Sequence, residues 1–135
     1  MPILPAKAPS ARHIFAIVSL LWLSPSLAGD PPTPLDSGTY LFQWRDAEFP
    51  NSAGFPVKVI IDGDRISVIN EHQGGAAPLG ELESAILMWN AKLSKWVLGH
   101  SESARSASEA GDCSGEGPHV IDFQARVIWT CEWGP

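Results

Sequence analysis

Val57-Lys58-Val59-Ile60-Ile61-Asp62-Gly63-Asp64-Arg65-Ile66-Ser67-Val68-Ile69-Asn70 decides the fold class. Val57, Val59 and Ile61 alternate with Lys58, Ile60 and Asp62, and Ile66 and Val68 alternate with Ser67. A period of two in β-branched residues puts one face of a strand against a core and the other toward water. Between the two runs stands Asp62-Gly63-Asp64. Glycine supplies the positive φ that hairpin turns need, so two alternating runs meeting at Asp-Gly predict a β-hairpin.

The same period recurs on both sides of this hairpin. Tyr40, Phe42 and Trp44 alternate with Thr39, Gln43 and Arg45, giving a strand with an aromatic inner face that begins near Gly38. Asp46, Pro50, Asn51, Gly54 and Pro56 mark the connection that follows, and Gly74, Gly75, Pro78 and Gly80 mark a loop over 71–80. Residues 81–89 read as a strand in preference to a helix, although Leu82, Ala85, Ile86 and Trp89 also fall at helical spacing. A turn at 90–94 leads to a partner strand at 95–100, with Trp96, Leu98 and His100 on one face. The small-residue stretch 101–118 predicts a long loop with a short helix over 104–109, stopped by Gly111. Strands at 119–123 and 126–133 complete the chain, the last with Val127, Trp129, Cys131 and Trp133 on one face. About seven short strands with hairpin-length links predict an all-β fold: an antiparallel meander closed as a small barrel or folded as a sandwich.

Ahead of this domain, Lys7, Arg12 and His13 precede the apolar run 14–23, and Ser26-Leu27-Ala28 follows it. A basic start, a short apolar stretch and a small-residue exit compose a secretory signal, so 1–28 are expected to be removed. The run is too short to span a bilayer, which needs roughly 20 apolar residues, and the mature chain offers no longer one. Pro31, Pro32 and Pro34 then make 29–37 an extended leader, and 38–135 form the single domain. Losing Lys7 and Arg12 takes the net charge from −6 to −8. An acidic surface repels phosphate backbones, which argues against nucleic acid as a partner, and suits a basic protein. In an exported chain the two cysteines, Cys113 and Cys131, are expected to pair.

Few residues point to chemistry. Five Trp fall in the mature domain (Trp44, Trp89, Trp96, Trp129 and Trp133) and read chiefly as core, with Trp133 the best surface candidate. His72, His100 and His119 lack the close spacing of a helix-borne metal motif, so no metal is expected. Glu81 and Glu83 read as charges on an exposed strand face. Asp62 and Asp64 around Gly63 fall short of a calcium loop. No phosphate loop or nucleotide fingerprint occurs, so no cofactor is expected. Gly111-Asp112-Cys113-Ser114-Gly115 is similar in outline to the nucleophile loop of chymotrypsin-like proteases, but there Ser directly follows Asp, and here Cys113 intervenes. With no nucleophile–base pair to assemble, a non-enzyme is expected.

The expectation is therefore a periplasmic or secreted binding module, inhibitor- or immunity-like, that docks on another exported or envelope protein. Its surface is expected to include His72, Gln73, Arg105, Glu109 and Trp133, taken from the two polar loops and the segment next to Gly134. In outline the architecture is similar to the small periplasmic barrels that inhibit lysozymes, a resemblance of fold class and compartment. The alternative is a lipocalin-like carrier of a small apolar ligand, suggested by the aromatic inner faces.

Overall fold

The computed structural model describes residues 2–6, 29–113, 115 and 117–133; most of the expected signal peptide, together with Ser114, Glu116, Gly134 and Pro135, lies outside them. Seven strands follow one another: β1 Gly38–Asp46, β2 Phe55–Asp62, β3 Arg65–Asn70, β4 Gly80–Asn90, β5 Lys95–Gly99, β6 His119–Asp122 and β7 Val127–Thr130. Each pairs antiparallel with the next, and β7 returns to β1 to close a barrel. An odd number of up-and-down strands leaves the first and last running the same way, so the closing pair is parallel, from Gln43↔Val127 to Asp46↔Thr130. The fold is thus the barrel rather than the sandwich.

The predicted hairpin is β2–β3, with Lys58↔Ile69 through Asp62↔Arg65 in register. Gly63 takes φ 61° and Asp64 stays on the negative side, the pattern of a turn with glycine at its first central position. Phe42, Trp44, Val57, Val59, Ile61, Ile66, Val68, Leu87, Leu98 and Ile128 fill the barrel, each at most 2% exposed. That filling fits a barrel of this strand number, whose interior is just wide enough for side chains.

A second apolar cluster lies outside the wall. Met88, Val97 and Val120 face outward and are covered by Ala104 and Ala110 of the β5–β6 connection. Asn90, fully buried, holds that connection in place: its Nδ2 donates to the carbonyls of Ala104 (3.0 Å) and Ala107 (2.8 Å), and its Oδ1 accepts from the Leu93 amide (3.0 Å). The connection contains one 3₁₀ turn, Glu102–Ser106, and not a helix over 104–109. The turn comes earlier because Asn90 takes the carbonyls of Ala104 and Ala107, which a continuing helix would use for itself.

The last strand also stops short of its predicted end. Beyond Thr130 the chain leaves the sheet, since Cys131 bonds Cys113 and the Glu132 amide turns back to the Thr130 hydroxyl at 3.2 Å. Gly111 serves the same tethered segment. It adopts φ 66°, and a Cβ there would meet Val120 Cγ2 at 2.6 Å, so only glycine fits.

Candidate functional site

Meander topology sorts the connections. Those after β1, β3 and β5 emerge at one end of the barrel, and those after β2, β4 and β6 at the other. The first set spans 47–54, 71–79 and 100–118; the second set only 63–64, 91–94 and 123–126. The long loops therefore surround one mouth, together with the disulfide and residues 131–133.

At this mouth the inner face stops being apolar. Cross-strand neighbours share a face, and Val68, which points inward, is paired with Glu83. Glu83 therefore continues the inward series of Leu87 and Ala85, and its side chain is only 6% exposed. The register jumps from Val68↔Glu83 to Ile69↔Glu81, leaving Leu82 as the extra residue of a bulge. The bulge breaks the common face expected for Glu81 and Glu83: Glu81 is exposed and Glu83 is buried. The expectation of two solvent-facing charges thus fails for Glu83.

Two histidines meet that carboxylate. His100 continues the inward alternation of Trp96 and Leu98, and His119, paired with Leu98, opens the inward face of β6. His100 Nε2 lies 3.1 Å from Glu83 Oε1, and His119 Nδ1 lies 2.8 Å from Oε2. The His100 side chain is 64% exposed and that of His119 20%. His119 also meets the Trp44 ring edge-on at 5.7 Å. Burial works against charge on His119, but the Glu83 hydrogen bond and the negative charges of Glu83 and Glu132 outweigh it. The imidazole's pKa is consequently raised above the ordinary histidine value. Glu132 is held beside it through its backbone carbonyl, which accepts from Trp44 Nε1 (3.0 Å) and the Thr130 hydroxyl (3.2 Å).

Over this group opens a cleft of about 330 Å³. Glu83, His100, Ser101, Ser103, His119 and Glu132 supply its polar lining, and Leu98, Ala104, Ala107, Gly117 and Pro118 line the rest of it. Asp46 and Glu48 also approach Cys113, but that sulfur is held in the disulfide and offers no thiolate to a metal.

The surface residues expected from sequence separate into two groups. His72 and Trp133 come together across a mouth groove shared with Trp44, Phe55 and Asp46. Gln73 is exposed in the same 71–79 loop, which the buried Asn70 anchors by donating to the carbonyls of Ala77 and Pro78. Glu109 is exposed in the β5–β6 connection. Arg105 lies apart on the outer wall, where it pairs with Glu102 at 2.9 Å and with Asp30 of the leader. Sequence reasoning missed Glu83 and the meeting of His100 with His119. The usable signal was the inner-face alternation Glu83-Ala85-Leu87 and Trp96-Leu98-His100.

Charge is also divided between the ends. The mouth carries Asp46, Glu48, Glu71, Glu81, Glu83 and Glu132 around Arg45 and Lys58. Arg45 is turned to the carbonyls of Pro50 and Ser52, and Lys58 to Glu71. At the opposite end Arg65, Lys92, Lys95 and Arg126 balance Asp36, Asp62, Asp64 and Asp122.

Among the described residues no helix is long and apolar enough to cross a membrane. The disulfide fits a non-cytoplasmic environment. Comparison with protein families, curated proteins and solved structures finds no match.

Proposed function

We propose that this chain is an exported binding domain, inhibitor- or immunity-like and not an enzyme, whose acidic mouth docks on a basic protein partner. One observation carries the reading: the three long connections, the disulfide and the unbalanced negative charge all gather at one end of a rigid barrel. Recognition usually sits on loops held by such a scaffold. A one-signed potential at that end speeds encounter with an oppositely charged partner. Cleavage after Ala28 and export to the periplasm or medium accord with the disulfide and with the basic–apolar–small order of 1–28. Glu83, His100 and His119 are engaged with one another, an arrangement suited to holding the mouth in shape.

The test is native mass spectrometry of the protein purified from its own host, paired with two loop exchanges. Wild type is expected to carry a basic polypeptide. Replacing 71–79 with a short turn should abolish that mass, and replacing 91–94 should leave it. Capture that survives the first exchange, or that fails after the second, refutes the assignment to the mouth.

Carriage of a small apolar ligand is the second reading, favoured by a groove of about 350 Å³ lined by Trp89, Trp96, Trp129 and Pro34. The filled interior leaves such a ligand at the end of the barrel opposite the long loops, beside the turn residue Ser94. A small excess mass in the same experiment would support it.

A further inference from the structure

Resting on the reading of the mouth as a docking surface for a basic protein, we infer that the cleft over Glu83 is the anchor point, receiving one arginine or lysine side chain of the partner. Its chemistry matches such a side chain along its whole length. Leu98, Ala104, Ala107 and Pro118 offer apolar contact for the methylene stem. Glu83 at the floor and Glu132 at the rim offer carboxylates to the charged head. Long basic side chains bury their stems against apolar walls in this way while the head finds a polar partner.

Glu83 retains capacity for this guest. A carboxylate presents about four lone-pair sites, and each oxygen here meets one imidazole. The two imidazoles are unequal. His119 is wedged against Trp44 and mostly buried, whereas His100 is 64% exposed at the longer distance of 3.1 Å. His100 is therefore the group that yields. When it swings out, Glu83 Oε1 faces the cleft, and a guanidinium or ammonium replaces a contact to imidazole with a charge-assisted one. No lysine or arginine of the described chain lines the cleft, so the two imidazoles are the only basic groups of the described residues there.

The experiment is an NMR titration of the mature protein with three blocked tripeptides, glycine on either side of arginine, lysine or norleucine. The arginine and lysine peptides are expected to give saturable shifts of the His100 and His119 ring signals and of the Glu83 amide. The norleucine peptide, which has the stem without the charge, is expected to give none. Glu83→Gln should weaken the arginine peptide about tenfold or more, since a buried carboxylate partner is lost. His100→Ala should tighten it, because Oε1 is then already free. No saturable shift from either cationic peptide, an equal response to norleucine, or an unchanged affinity in Glu83→Gln would overturn the assignment. If Glu83→Gln does not fold, His100→Ala decides alone: tighter binding supports the cleft as receptor, and unchanged or weaker binding refutes it. Peptides that fail while a polypeptide still co-purifies through 71–79 overturn the anchor and leave the docking surface standing. Peptides that bind while no polypeptide is captured do the reverse.

Discussion

Replacing Asn90 by alanine tests how the outer wall of the cleft is built. Asn90 is fully buried, and its side chain makes three hydrogen bonds at 2.8–3.0 Å, to the carbonyls of Ala104 and Ala107 and from the Leu93 amide. A buried hydrogen bond contributes about 1 kcal/mol net, so losing all three costs roughly 3 kcal/mol. That is a large part of the roughly 5–15 kcal/mol that holds a domain of this size. In urea, with a slope of about 1–3 kcal/mol/M, the midpoint should fall by roughly 1–3 M. Hydrogen exchange separates the local effect from the global one. The amides of 101–107, among them Ala104, which donates to the Ser101 carbonyl at 3.1 Å, should exchange faster than the β2–β3 hairpin. Asn90→Asp should be worse than alanine, since it removes both donors and turns a carboxylate toward two carbonyl oxygens. A loss well under about 1 kcal/mol, or unchanged exchange over 101–107, would refute the view that Asn90 clamps this connection.

Three further expectations follow from the same contacts. Replacing both Cys113 and Cys131 by serine should cost about 3 kcal/mol in urea unfolding, the loop-closure value for the 18-residue separation; a loss near zero would mean that the mouth is held without the bridge. The raised pKa of His119 means that its stabilising contribution is full below the ordinary value near 6.5 and is lost as pH rises through the folded value. The stability gap between wild type and His119→Gln should therefore narrow as pH rises above about 6.5, and a gap that widens refutes the assignment. Gly111→Ala should cost about 2 kcal/mol by thermal unfolding, because φ is 66° and the new methyl would meet Val120 at 2.6 Å; a neutral outcome would show that the segment shifts freely.

How much of this was legible in the sequence depends on how local each cause is. The β2–β3 hairpin needs only alternation and a glycine, and both stand in the chain. The aromatic inner face of β1 is equally local. Residues 81–89 read ambiguously because the upper part of β4 is covered on both sides, Leu87 by the interior and Met88 by Ala104 and Ala110. A strand buried on both faces loses its period of two. Barrel or sandwich was undecided because the answer lies in the pairing of β1 with β7, whose residues are far apart in sequence. The early 3₁₀ turn is likewise imposed from outside, by Asn90.

Glu83 was hidden for a sharper reason. On an ideal strand Glu81 and Glu83 share a face, and two acids so placed belong in water. The bulge at Leu82 breaks that rule, and a one-residue insertion moves a side chain from one face to the other. Once Glu83 lies inside, the alternation that was legible on β5 and β6 brings His100 and His119 to it. The end of the barrel at which this happens was implicit in the loop lengths. In an up-and-down barrel the odd connections share an end, and here the odd ones are 47–54, 71–79 and 100–118. Long loops cost little entropy beyond shorter ones, so length alone does not burden the fold. The same end holds the buried carboxylate, the disulfide and the excess of acids, while the other keeps tight turns and balanced charge. A barrel needs a filled interior for stability, and apolar residues alone supply that filling here. The buried carboxylate, the long loops and the disulfide depart from that economy at the mouth, the end on which the proposed docking surface is placed.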